Sequence, residues 1–380
     1  MYDLKLKNTL LIQKIFGAGS LTAFSVFSKI TDSNMLNKPI DIIATNVKFT
    51  DSIKAKLLAA EYSLIEKILT DTLKNDIDII PYYSEKYPDN LRHIDTPPII
   101  LFAKGNFPDF NKLPSITIVG PRKATEFGLK AAYSLGFRIA RSGIVVVSGG
   151  ALGCDKYAHI GALDSQGTTV AVLGCGICAD YLTKNKPLRD KISENGCLVS
   201  EYPPFTPATK FTFPVRNRIM SGISLGTVVV EAPQKSGSLI TARNAAEQGR
   251  DVFVIPGNPT LKEYKGSNAL LRDGAKPLID ASDIFNEYIF KYPEYIDIEK
   301  AFLPIKNEDK SIKTQKNSEI SKESLSNEAK IVYNNLDNQL FSFDDLSNIN
   351  LSSEDILSAL TELELENFIT PLPGGKYKLI

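Results

Sequence analysis

No charge of one sign dominates this sequence. Lys and Arg number 44 against 44 Asp and Glu, so a long-range field that draws in a polyanion is excluded, and any nucleic-acid affinity must come from local clusters of cations. Cysteine and histidine are scarce. The four cysteines, Cys154, Cys175, Cys178 and Cys197, all fall in the central third of 380 residues, where a disulfide framework would be unusual. Cys175 and Cys178 form a C-x-x-C, but no second pair follows, and His93 and His159 lie far away in sequence. A four-ligand zinc site cannot be assembled from these locally, and the thiols read as small packing residues around a strand end. No metal and no cofactor are expected. The opening MYDLKLKNTLLIQKIFGAGS has no charged n-region, no small-residue cleavage site and no apolar span of about 18 residues. This predicts a cytoplasmic chain without membrane association.

What is present is ordinary globular composition, 43% hydrophobic and 23% charged, in a chain too long for one domain of roughly 100 to 200 residues. Residues 1–75 read as a helical module of the SAM or helix-hairpin-helix kind: LLIQKIF, LTAFSVFSKI and SIKAKLLAAEYSLIEKIL carry apolar residues every three to four positions. The turn Phe16-Gly17-Ala18-Gly19-Ser20 has two readings, a phosphate-holding hairpin turn or a plain connection whose backbone angles need Gly. Residues 80–285 change character. The short apolar runs ITIVG, IVVVS, TVAVL, CLVS, TVVVE and DVFVI alternate with helical stretches that close on Gly. That alternation predicts a Rossmann-like, doubly wound, mostly parallel α/β sheet. Residues 298–325, rich in Lys, Glu, Asn and Ser, read as a flexible linker. Residues 326–380 show three helical patterns and a hairpin with a Gly374-Gly375 turn, a C-terminal winged-helix module.

Ligands of an open parallel sheet bind beyond the carboxyl ends of the strands. The loops there are Gly120-Pro121-Arg122, then Ser148-Gly149-Gly150 continuing to Asp155, and Glu231 to Ser236-Gly237-Ser238. Each is rich in small residues and leads toward a helix, which places backbone amides and positive dipole ends around one crevice suited to an anion. Nearby, Lys210 to Arg218 (KFTFPVRNR) holds three cations, two aromatics and an amide in nine residues. Cations for phosphate and rings for bases are the components of a single-strand groove. The competing reading makes Phe211 and Phe213 core and pairs the arginines with Glu201 or Glu231. No catalytic residue is expected: His159 sits inside a helical stretch and Asp155 at a helix start reads as a cap. An Asp155–Glu231 hydrolase pair stays open as the enzymatic alternative.

These segments resemble the DNA-processing protein A (DprA/Smf) family. The resemblance covers residues 85–280, in YPDNLRHIDTPPIILFAKGN, IVGPRKATEFG, VVVSGGALGCD, SEYPPFTPATKFTFPVRNRI, VVEAPQKSGSLITARNAAEQGR and VIPGN. It implies a homodimeric protein that binds and protects incoming single-stranded DNA and loads the RecA recombinase on it during natural transformation and homologous recombination in competent cells. It implies that Arg122 and Lys210 hold phosphates, that Phe213 stacks on a base, and that Gly120, Ser148 to Gly150, Arg216 to Arg218 and Ser236 to Ser238 line the DNA site. Leu270, Leu271 and Ile279 are its candidates for the dimer interface. Pro121 stands where the family has Thr or Ser, Leu182 where Tyr181 is normally followed by Pro, and Gly150 and Cys154 where larger apolar residues are common.

Two rivals are a nucleotide-cleaving Rossmann hydrolase related to the lysine-decarboxylase-like group and a nucleoside-diphosphate carrier. The first should carry P-G-G-x-G-T-x-x-E, where this chain has KSGSLITA; the second predicts no aromatic-basic strip. The tail has no Lys or Arg between Lys330 and Lys376, while Asp337, Asp344, Asp345, Glu354, Asp355, Glu362, Glu364 and Glu366 are acidic. A recognition helix needs cations facing phosphate, so the tail reads as a protein-contact or regulatory module, or as a solvated acidic face.

Overall fold

The computed structural model describes residues 2–180, 185–303, 326–336, 340–346, 349, 351–365, 368–372 and 376–379. The chain divides into two compact units, Met1–Leu303 and Pro304–Ile380.

The first unit opens with five helices, α1 (Leu4–Phe16), α2 (Leu21–Asp32), α3 (Ile40–Asn46), α4 (Asp51–Leu58) and α5 (Ser63–Lys74). Asp3 and Ser20 start α1 and α2 by accepting from Leu6 N and Ala23 N, the side-chain caps that orphaned first-turn amides require. The stretch SIKAKLLAAEYSLIEKIL, expected as one periodic run, breaks into α4 and α5. The turn between them lets Leu57 and Ile65 both reach the interior, and Tyr62 there donates to Asn8 Oδ1 at 2.7 Å. These helices own no separate core. Leu10, Ile12, Phe27 and Ile43 share one apolar cluster with Phe102, Leu173 and Leu198 of the sheet.

The sheet has nine strands: β1 (Asp78–Pro81), β2 (Ile100–Gly105), β3 (Ser115–Val119), β4 (Val145–Ser148), β5 (Thr169–Leu173), β6 (Cys197–Ser200), β7 (Gly226–Val229), β8 (Asp251–Val254) and β9 (Lys276–Pro277). Their order is β1-β2-β6-β5-β4-β3-β7-β8-β9. The six runs expected from sequence are β3 to β8, all mutually parallel, with Ile116 opposite both Val146 and Gly226. All five residues of β3 and all five of β5 are buried, which is why those runs read as continuous rather than alternating. The antiparallel pair β1 and β2 extends the β6 edge; neither is among the six runs expected from sequence. α6 (Asp89–Arg92), α7 (Glu126–Arg141), α8 (Cys154–Asp164), α9 (Lys186–Asn195), α10 (Thr212–Ile223), α11 (Gly237–Glu247), α12 (Lys265–Arg272), α13 (Ser282–Tyr288) and α14 (Ile298–Phe302) complete the unit. One face is covered by α7, α8, α13 and α14, around Ile118, Ile139, Val228 and Phe285. The other is covered by α6, α10 and α11, around Val147, Val172, Ile219 and Ala242.

The expected linker begins later than residue 298. Asp297 N donates to Ser142 O, Arg141 Nε donates to Lys300 O, and Ala301 is buried, so α14 packs on α7. Ala301 is fully buried and Phe302 meets Phe285 edge-on, ring centroids 6.0 Å apart; residues 304–325 lie outside the described residues.

In the second unit, α15 (Asn327–Asn334), β10 (Leu340–Ser342), a 3-10 turn (Phe343–Leu346), α16 (Ser353–Leu365), β11 (Ile369–Leu372) and β12 (Lys376–Leu379) follow in order, with sheet order β10-β12-β11. Val332, Phe341, Ile356, Leu360 and Leu363 form its core. This is the helix-and-wing arrangement expected, except that the second helical pattern, at residues 343–348, forms a 3-10 turn (Phe343–Leu346) preceded by a strand. Among the acidic residues, Glu362 accepts from Ser326 N and Oγ at 2.8 and 2.6 Å and so holds the residue that caps α15; those hydrogen bonds hold its carboxyl below the usual range. Asp345, Asp355 and Glu364 are exposed. Asp337, Glu366 and the Gly374-Gly375 turn, like Tyr181 and Leu182, lie outside the described residues, as do the side chains of Asp344 and Glu354.

Candidate functional site

β3 lies between β4 and β7, and the strands on its two sides follow it in chain order in opposite directions, which makes this the switch point of the sheet. The loops after β3, β4 and β7 meet there around an open crevice of about 400 Å³. Three local devices shape them. Gly153 has φ +77°, and a Cβ on it would lie 2.2 Å from Pro121 O, so the second loop presses directly against the Gly120-Pro121-Arg122 backbone. Glu231, fully buried, accepts from Thr125 N and Thr125 Oγ1, both at 2.7 Å, and anchors the start of α7. Asp155 accepts from Gly149 N at 3.1 Å and Ala151 N at 3.4 Å. It therefore folds the loop in front of α8, whose N-cap is Gly153, rather than capping the helix as expected.

Gly120, Arg122, Phe213, Arg216, Asn217, Ser236, Gly237 and Ser238 line this crevice together. Arg122 is exposed, and its guanidinium lies 5.2 Å from the Phe213 ring centroid. Phe213 is half-buried on the first turn of α10, over Gly174. Lys210 stands just before α10, exposed, with its Nζ 5.0 Å from the ring of Phe211, itself 71% exposed. Ser236 caps α11 by accepting from Ser238 N, and Gly237 at the helix start is exposed.

Other members of the sequence-derived set sit differently. Ser148 is fully buried and its hydroxyl donates to Ile118 O; with the Gly149 amide engaged by Asp155, both shape the loop instead of facing the crevice. Arg216 is 5% exposed. Its Nη1 donates to the Gly149 and Val172 carbonyls and its Nε to Asn217 Oδ1, so the guanidinium braces the second loop. Arg218 turns away: its Nη2 donates to both Glu201 oxygens at 2.9 Å, the carboxylate pairing weighed from sequence. Glu201 also accepts from Gly19 N at 2.8 Å, so the amide in the N-terminal turn meets a carboxylate and the turn serves as a connection. Lys235 is exposed on the crevice rim and was not singled out in sequence, although it stands directly before Ser236.

His159 is fully buried, with Nδ1 2.7 Å from Thr169 Oγ1. The Thr169 proton goes to Val146 O, so Nδ1 carries the imidazole proton and donates. Burial first, and the Arg216 charge second, push its pKa down to about 3, against an unfolded value near 6.5. Between those pH values the unfolded chain binds a proton that the folded one refuses, so stability is lost as pH falls below 6.5, by about 1.4 kcal/mol per pH unit. Urea unfolding from pH 7 to 4 should therefore show a shallower acid loss for His159→Gln than for the parent; equal slopes would refute this. Asp155 is pushed up by burial, with Arg216 beside it and the loop amides pulling it back.

The family model for DNA recombination-mediator protein A matches residues 78–289, and that for the DprA winged helix domain matches residues 317–375. DNA processing protein DprA of Bacillus subtilis is 39% identical over 251 residues, 65% of this chain and 84% of that one. DprA of Streptococcus pneumoniae is 40% identical over 204 residues, 54% of this chain and 72% of that one. Its X-ray structure superposes with a TM-score of 0.63 at 33% identity, over 74% of this chain and 95% of that one. DNA processing protein A from Helicobacter pylori, described for its single-stranded DNA binding mode, gives 0.51 at 29% identity, over 57% of this chain and 97% of that one. With a doubly wound sheet, a winged second unit and a matching profile across most of the first, this chain belongs to the DNA recombination-mediator protein A (DprA/Smf) family.

Proposed function

We propose that this protein binds single-stranded DNA in the switch-point crevice and delivers it to the RecA recombinase in natural transformation, without catalysing a reaction. The observation that carries the reading is the pairing of Arg122 with Phe213 in the crevice, with Lys235 at its rim and Lys210 exposed just before α10. An exposed cation beside a half-buried ring takes a phosphate and its neighbouring base together. Gly237 at the start of α11 adds amides and a positive dipole end. Backbone and stacking contacts read little sequence, so base preference should be weak. The hydrolase alternative loses its pair, because Glu231 and Asp155 both accept from loop amides that hold the fold. The family's description as a recombination mediator supports the RecA step. Among the described residues no helix is long and apolar enough to cross a membrane, in keeping with a role in the cytoplasm.

Homodimerisation through Leu270, Leu271 and Ile279 belongs to the same proposal. Ile279 is 78% exposed, whereas Leu270 and Leu271 are partly buried against the sheet core, so Ile279 is the side chain with most to gain from a partner. Two linked crevices would raise avidity. The test is a salt titration of binding to a labelled single-stranded oligonucleotide with duplex competitor. Tight, salt-dependent, strand-selective binding is expected, and its absence at moderate salt would overturn the reading. Truncation of residues 320–380 should leave most of that affinity intact, because the acidic tail supplies no phosphate contacts; a large loss in a still-folded truncation would show a DNA role for the tail.

A further inference from the structure

Behind Phe213 lies a second, enclosed space of about 10 Å³, lined by Gly149, Gly150, Leu173, Gly174, Arg189 and Arg216 among others, with no carboxylate among the described residues that line it. A space of that size holds about one water. Arg189, on α9, is 8% exposed, and among the described residues it has no hydrogen bond and no ion pair. Among those residues its charge meets no counter-charge. Arg216 differs, since the Asp155 carboxyl is close enough to feel its charge. Arg189 and Arg216 both act on the buried Cys175 thiol, opposing the upward push of burial, which puts the two cations around one point. Phe213 seals this space from the crevice: a Cβ on Gly174 would lie 2.7 Å from its ring.

We propose that this space is a subsite for a phosphomonoester, which Arg189 and Arg216 hold once Phe213 swings toward the crevice. With room for about one water when Phe213 is in place, the space suits a group on one side of a chain end better than an internal phosphodiester, which carries chain on both sides. A terminal phosphate needs only to enter. Its source is either the end of a DNA strand or a free nucleotide or phosphate. The proposal rests on the DNA-binding reading only for the first of these.

Two measurements on the full chain test it. Inorganic phosphate, against chloride at matched ionic strength, should raise the melting temperature of the parent by about 3 °C or more. Arg189→Met should show no such rise. Arg189→Lys should keep part of the rise. Absence of a rise in the parent, or an equal rise in Arg189→Met, overturns the proposal. Oligonucleotides ending in 5′-phosphate, 3′-phosphate or hydroxyl then identify the source. About tenfold tighter binding of one phosphate-ended strand, lost in Arg189→Met, assigns the strand end; phosphate stabilisation without end preference assigns a free ligand. Affinity for the hydroxyl-ended strand reads the proposed DNA function separately, and its absence beside intact phosphate stabilisation would sink that function while leaving this subsite standing.

Discussion

Lys210→Ala and Arg122→Ala should each weaken single-strand binding for all sequences alike and flatten its salt dependence. Each phosphate contact with a single strand contributes about 0.7 to the slope of log K against log salt, so each variant should lose about that much, with an affinity loss of roughly tenfold at low salt that shrinks as salt rises. The two cations are not equivalent. Lys210 stands on an exposed approach to α10 beside Phe211, and its removal subtracts a point charge. Arg122 lies against Phe213, so Arg122→Ala also releases the ring, and Arg122→Lys should restore the slope but not the full affinity, because an ammonium lacks the planar stacking surface. Fluorescence anisotropy titrations across a salt series measure both quantities. Slopes unchanged from the parent would remove these residues from the interface.

Glu201→Ala should be the most destabilising change near the site, by about 3 to 5 kcal/mol, the usual result of stripping one partner from a buried ion pair. Glu201 is 2% exposed and carries three bonds at once: two from Arg218 Nη2 and one from the Gly19 amide. Gln13 Nε2 also donates to its carbonyl, so this residue ties α1, the N-terminal turn and α10 into one structure. Its loss leaves the Arg218 charge unpaired and the turn unanchored. The Glu201→Ala/Arg218→Ala double variant should cost much less than the sum of the single ones, because no orphaned charge remains. Urea midpoints for the four proteins measure the coupling; a single-variant loss under about 1 kcal/mol would show that solvent reaches the pair.

Much of the fold was written in short-range pattern. A strand covered on both faces has to be apolar throughout, so ITIVG, IVVVS and TVAVL announce parallel strands without reference to anything distant, and the Gly-rich segments after them announce the loops. β2 carries the same signature, since Ile100 to Ala103 are apolar and buried, but the run does not tell that it pairs antiparallel with β1 and β6. Likewise the break between α4 and α5 answers to Asn8, a residue far away in the chain.

The loops that gather at the switch point follow from strand order, and the alternation of strands and helices was enough to expect a crevice there beside Arg122 and Ser236 to Ser238, while Phe213, open in sequence between core and base stacking, stands half-buried on its wall. Which charges in the basic strip face outward was a matter of the third dimension alone. Lys210, Arg216 and Arg218 are chemically alike and stand within nine residues, yet one projects from the helix start, one braces the Gly149 loop and one pairs with Glu201. A cation in a sequence carries its charge but not its counter-charge. The partner that neutralises it, or the missing partner that leaves Arg189 exposed to a ligand's charge, exists only once distant segments are brought within a few ångströms of each other.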